Sequence, residues 1–136
     1  MKKTERFSVM LAIFLASVAA MMVPAFSDDL YDKCIAKVSD NASFAQCGSQ
    51  WVKREDDKLN ATWKTVFAET SGQTRTDMLA EQRLWNAYKE SACAFYANGD
   101  WGREGQVLDF LACRAGVIAA RTKNLDDYGA FFKGDN

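Results

Sequence analysis

Histidine is absent from the sequence. Its absence excludes a Ser-His-Asp or Cys-His nucleophile system and any histidine-held metal, and it removes the side chain that most often serves as a general base. Proline is nearly absent too, because the single one, Pro24, lies in the first quarter of the chain. Nowhere beyond that quarter do apolar and polar residues alternate long enough to make a confident strand. No two of the four cysteines stand within four residues of each other, whereas thiolate zinc sites bring their ligands in close pairs. A zinc site is therefore not expected, and no other cofactor is called for.

What is present begins with a leader. Lys2, Lys3 and Arg6 precede a nearly unbroken apolar run from Ser8 to Val23, and Pro24-Ala25-Phe26-Ser27 then gives way to Asp28-Asp29. That pattern reads as a signal peptide over residues 1–27, cut after Ala25 or Ser27. The run falls short of the about 20 apolar residues that a membrane-spanning helix needs. No cysteine follows it to take a lipid, so the expected product, residues 28–136, is free in the periplasm or secreted. Losing the leader removes three basic residues against the one acid Glu5, which leaves the remainder more acidic than the chain's net −1. A mildly acidic domain argues against nucleic acid and an anionic membrane as partners and permits a basic protein.

The expected fold is all-α, a small antiparallel four-helix domain. Leu30, Cys34, Ile35 and Val38 mark a first amphipathic helix over Asp29–Val38, broken at Ser39-Asp40-Asn41. Ser43-Phe44-Ala45-Gln46 has the form of a capping box opening a long second helix. Phe44, Cys47, Trp51, Val52, Leu59, Trp63, Val66 and Phe67 recur along it at helical steps, up to a stop near Ser71-Gly72. Thr74-Arg75-Thr76-Asp77 is a second capping pattern. The third helix that it opens places Trp85, Tyr88, Ala92 and Phe95 on one face, with Met78 and Gln82 at the upstream edge. Asn98 to Gly105, NGDWGREG, is the clearest loop. From Glu104 a fourth stripe runs through Val107, Leu111, Ile118 and Leu125 to Tyr128, and periodicity is lost from Gly129 on.

Exported domains of this size pair their cysteines. Cys34 and Cys47 stand almost equally far from the turn at Asp40-Asn41, and Cys93 and Cys113 flank the Asn98–Gly105 loop in the same way. Antiparallel helices bring such residues level, so the expected bridges are 34 with 47 and 93 with 113 rather than either crossed pattern. Each closes a loop worth roughly 3 kcal/mol by chain entropy.

Carboxylates are the remaining catalytic candidates, and Glu55-Asp56-Asp57 with Glu81 suggest a glycosidase pair. Against it, a small helical domain offers little room for a cleft that holds several sugars, and Lys53, Arg54 and Lys58 surround the first three acids as on a solvated face. The chain is not expected to be an enzyme. Gln82, Trp85 and Tyr88 could form a sugar platform; the preferred reading makes both rings core and gives Gln82 a buried polar contact supplied by Asn60 or Arg121. Trp101 differs, since no helical stripe demands it. Beside Asp100 and Arg103 it could be an exposed anchor for a partner protein, or it could fold back over the second disulfide; both placements stay open.

Taken together, Cys34, Cys47, Asp57-Lys58-Leu59-Asn60, Leu79-Ala80-Glu81-Gln82-Arg83-Leu84-Trp85, Tyr88, Cys93, Cys113 and Arg121-Thr122-Lys123-Asn124-Leu125 resemble the lysozyme inhibitor LprI-like domain family. The resemblance implies a small exported helical protein, and in one characterised, lipid-anchored branch an inhibitor of lysozyme. It also implies lysozyme, or another envelope protein, as the partner.

Overall fold

A computed structural model describes residues 28–134. The expected leader lies outside the described residues. Helices α1 (Asp29–Ile35), α2 (Asn41–Ala68), α3 (Gly72–Ser91), α4 (Ala94–Ala97), α5 (Gly102–Glu104) and α6 (Phe110–Lys133) follow one another, with a π-helical turn over Gly105–Asp109 joining the last two. Among the described residues there is no strand, and the four longer helices carry the fold.

The most extensive contact is between α2 and α6. Leu59 and Val66 of α2 meet Ile118 and Leu125 of α6, and Met78 of α3 closes this cluster from one side. Gly129 lets α6 approach closely, since a Cβ there would stand 3.0 Å from Val66 Cγ2. Gly48 does the same at the other end, where a Cβ would collide with the Leu111 side chain at 2.6 Å. A second cluster of Tyr31, Cys47, Trp51 and Ala115 seats α1 over the same pair of helices, with the Tyr31 and Trp51 rings 4.7 Å apart. Burying such apolar surface is the main favourable term in folding, at about 25 cal/mol per Å².

The helix starts differ from the expected ones. The cap of α2 is Asp40, whose Oδ1 accepts from the Ser43 amide at 2.9 Å while its Oδ2 accepts from the Ser43 hydroxyl at 2.6 Å. A carboxylate takes the free first-turn amides more strongly than a hydroxyl, so the helix begins three residues before the expected box. Similarly, α3 starts at Gly72 rather than after Thr74, and the Thr76 hydroxyl donates back to the Gly72 carbonyl. α1 stops at Ile35, short of Val38. At the far end α6 continues through the segment that shows no periodicity, because Phe132 packs on the main cluster, and it ends at Gly134 in the left-handed conformation.

Both expected disulfides are present: Cys34–Cys47 ties α1 to α2, and Cys93–Cys113 ties the end of α3 to α6.

Candidate functional site

Two regions hold the residues singled out in the sequence: the seam between α3 and α6, and the tip that connects them. At the seam Arg121 is buried, 4% exposed, on the inner side of α6. Its Nε and Nη2 donate to Gln82 Oε1 at 3.1 and 2.9 Å, and its Nη1 donates to Glu81 Oε1, which also accepts from the Tyr128 hydroxyl at 3.1 Å. The guanidinium lies 5.9 Å from the Trp85 ring centre and 5.8 Å from that of Tyr128. A buried cation needs such partners, and the planar fork of arginine meets two acceptors at once. Asn60 takes no part in this network; it is exposed on α2, a mid-helix amide that water satisfies. Glu81 was missed as a member, although its place beside Gln82 on the same helical turn was visible.

The other acids weighed for catalysis also have cations. Glu55 accepts from Lys58 at 2.7 Å, Asp57 from Lys53 and Asp56 from Lys89, so each is committed to an ion pair on or between helices. The expected core face of α3 is only partly inside. Trp85 is half-buried, but Tyr88 is 56% exposed and Phe95 54%. Tyr88 leaves the face because α3 is covered only along the line of Met78, Gln82 and Lys89, and Tyr88 lies beyond its edge. Phe95 leaves it because the helix stops: Cys93 has φ +68°, a left-handed turn rare for a residue with a Cβ, and the chain restarts in a new direction as α4.

That turn begins the tip. Gly99 and Gly102 both have positive φ, +99° and +68°, and the chain turns back between them. Asn98 Oδ1 accepts from the Asp100 amide at 2.9 Å and its Nδ2 donates to the Asp100 carboxylate at 3.2 Å, so Asp100 is held within the loop's own turn. Arg103 donates from Nη1 to Gln106 Oε1 at 3.1 Å, and Gln106 Nε2 donates in turn to the Ala97 carbonyl at 3.2 Å. This relay joins the two ends of the loop and leaves most of the five guanidinium donors of Arg103 facing outward. Trp101 is 63% exposed, so of its two open placements the outward one is observed. The tip is a short projection, tied together by its own hydrogen bonds, with one large ring and one cation.

A family model for the lysozyme inhibitor LprI matches residues 34–125, a span that includes both disulfides, the whole tip, and Arg121, Glu81 and Gln82 of the arginine network but not Tyr128. The chain belongs to the LprI family. The family is described as one of lysozyme inhibitors rather than of catalysts. No curated protein and no solved structure matches the chain. Shallow grooves of about 450 and 280 Å³ lie along the open side of the α2–α6 seam of this LprI-family protein. Ala61, Thr62 and Gly129 line the larger and Glu55, Lys58 and Thr122 the smaller, so neither touches the tip. Among the described residues no helix is long and apolar enough to cross a membrane.

Proposed function

We propose that the protein is an exported inhibitor that binds a lysozyme-type enzyme and occludes its saccharide cleft with the Asn98–Gly105 tip. On this reading residues 1–27 are a leader that is removed, residues 28–136 are the inhibitor, and it works in the periplasm or outside the cell without cofactor or membrane anchor. The observation that carries the proposal is the exposed Trp101 on a braced glycine turn, in a chain of the LprI family. A large ring with few rotatable bonds, held in place before binding, loses little entropy on docking, and tryptophan and arginine are the residues most often found to dominate interfaces.

The chemistry of the target suits these groups. A glycoside-hydrolysing cleft carries two carboxylates about 5 to 9 Å apart and is shaped for several sugar rings. Arg103 would approach the carboxylates, Trp101 would fill a sugar subsite, and Asp100 would keep the turn in shape beside them. The acidic remainder of the chain would favour encounter with a basic enzyme.

A muramidase assay tests the proposal directly. Oxidised protein should protect a cell-wall suspension in a dose-dependent way against at least one of the chicken, goose and invertebrate types of lysozyme. Trp101→Ala and Arg103→Ala should each weaken that protection by 10-fold or more, about 1.4 kcal/mol. Lack of protection against all three types would turn the reading to a non-catalytic module that binds another envelope protein.

A further inference from the structure

The tip carries more aromatic surface than its tryptophan. Phe95 and Tyr96 of α4 have ring centres 4.2 Å apart, and Tyr96 and Trp101 lie 6.3 Å apart, so three rings form one chain with Tyr96 in the middle. The two end rings are the exposed ones, Phe95 at 54% and Trp101 at 63%, while Tyr96 is half-buried. Ala92 and Cys93, immediately before α4, are buried, so the chain passes from interior to surface at this point. Leaving Phe95 outside forgoes part of the roughly 1.5 to 3 kcal/mol that burial of such a side chain contributes.

Its placement is also fixed. The left-handed Cys93, bridged to Cys113, turns Phe95 off the line of α3. On the other side of the ring chain, a Cβ on Gly105 would stand 2.6 Å from Trp101 Cβ and 3.1 Å from the Tyr96 carbonyl, so only glycine lets Trp101 and Tyr96 pack this closely. The surface is uncharged across α4, whose sequence is Ala-Phe-Tyr-Ala.

We infer that Phe95 is a second partner-contacting residue of the tip, acting with Trp101 as a two-ring knuckle braced by Tyr96, and that it docks on an apolar wall of the enzyme's saccharide cleft. The inference rests on the inhibitor reading above and extends it to a residue outside the loop. The rings are tilted by 37° and 58° to their neighbours, so the three do not make one flat platform on which successive sugars would stack. Their exposed area, about 200 to 250 Å² together, supplies roughly a third of the ~800 Å² that one side of a standard protein interface buries. The occupant is therefore a protein concavity, with free glycan as the competing outcome.

The test compares inhibition constants of wild type, Phe95→Ser, Phe95→Leu, Trp101→Ala and Leu84→Ser for whichever of the three lysozyme types the wild type inhibits, with melting temperature and near-ultraviolet circular dichroism as folding controls. Phe95→Ser should weaken inhibition 10-fold or more, and Phe95→Leu, which keeps apolar volume, should recover part of the loss. Leu84 is 74% exposed but outside the ring chain, so Leu84→Ser should change nothing. Undiminished inhibition by both Phe95 variants beside a disabled Trp101→Ala overturns the inference and leaves the inhibitor reading standing. Wild type that inhibits no lysozyme removes both. Quenching or shift of tryptophan fluorescence by chitotriose, lost in Trp101→Ala and Phe95→Ser, would assign the knuckle to glycan and overturn the protein docking.

Discussion

Trp51 and Trp63 of α2 and Tyr88 and Trp101 of the arm formed by α3 to α5 are all large rings on or beside helices, yet they meet opposite fates. Trp51 is buried against Tyr31, and Trp63 packs on the core and stacks on Phe67 at 4.8 Å; the arm's two rings face solvent. The same division holds for the aliphatics. Leu79 and Leu84 are exposed in the arm, whereas α2 has no exposed large hydrophobic side chain. The cause is the number of neighbours: α2 has α1 and α6 against it, while α3 is held along one line and by a few polar bonds. One half of the molecule holds the packed core, although Leu30 and Phe131 at its helix ends are exposed, and the other displays more of its apolar surface, most of it rings.

The sharpest way to break this comparison is to truncate one leucine from each half. Leu125 has no exposed surface and lies in the main cluster, so Leu125→Ala should cost about 3 kcal/mol, with the cavity term adding to the lost transfer energy. Leu84→Ala should stay within about 0.5 kcal/mol. Urea unfolding of both variants measures this, and equal losses would mean that the arm is packed as tightly as the core.

The disulfides divide in the same way at about 3 kcal/mol each. Replacing Cys34 and Cys47 by serine should lower the melting temperature but spare inhibition, since neither that bridge nor the Tyr31 cluster around it includes a residue of Asn98–Gly105. Replacing Cys93 and Cys113 should cost similar stability and also abolish inhibition at temperatures where the protein is still folded, because the left-handed turn under α4 loses its anchor. If both pairs behave alike in the muramidase assay, the tip is not where function resides.

Arg121→Gln should cost about 2 kcal/mol, by removing the fork that joins α6 to Gln82 and Glu81. Arg121→Lys should not restore it, because a point charge cannot reach two acceptors in one plane. Hydrogen exchange locates the damage: amides of α3 should exchange faster while those of α2 near Leu59 stay protected, and uniform acceleration would mean that the two halves unfold as one unit.

Much of this was legible in residue spacing. The equal distances of the cysteines from their turns led to both bridges, whereas the α2–α6 pairing, the most extensive in the fold, joins helices that are not neighbours in the chain and carries no such signal. Arg121 drew attention as a charge on an apolar face, and Gln82 as its partner, because a buried charge must be matched. What spacing could not reveal is whether a neighbour exists to cover a given stripe. Trp85, Tyr88 and Phe95 keep helical register, but α3 is covered on one line only and Cys93 ends the helix between Tyr88 and Phe95. Asn60 was misread for the opposite reason: a poor helix former in mid-helix needs no tertiary partner if it faces water. Phe95 and Tyr96 were passed over as tip residues because a left-handed cysteine has no sequence signal comparable to glycine's.

The smallest expected effect concerns acid, and it belongs to the stable half. Asp28 caps α1 by accepting from the Tyr31 amide at 2.8 Å and pairs with Arg54 of α2 through bonds of 2.8 and 3.0 Å. The hydrogen bonds from Arg54 hold its carboxyl below the ordinary carboxylate range, against the opposing effect of burial. A carboxylate whose folded value lies below its unfolded one, about 3.9, stabilises fully above that pH and loses its contribution as pH falls through the folded value. Asparagine caps a helix as well as aspartate, so Asp28→Asn should cost only the charge and its pair with Arg54, about 0.5 to 1 kcal/mol at pH 7, and the gap to wild type should close below about pH 4. Stability measured between pH 7 and 2.5 decides it. A gap that persists unchanged at pH 2.5 would show that the asparagine disturbs packing around Tyr31 rather than removing a charge, and would place the acid response of α1 elsewhere.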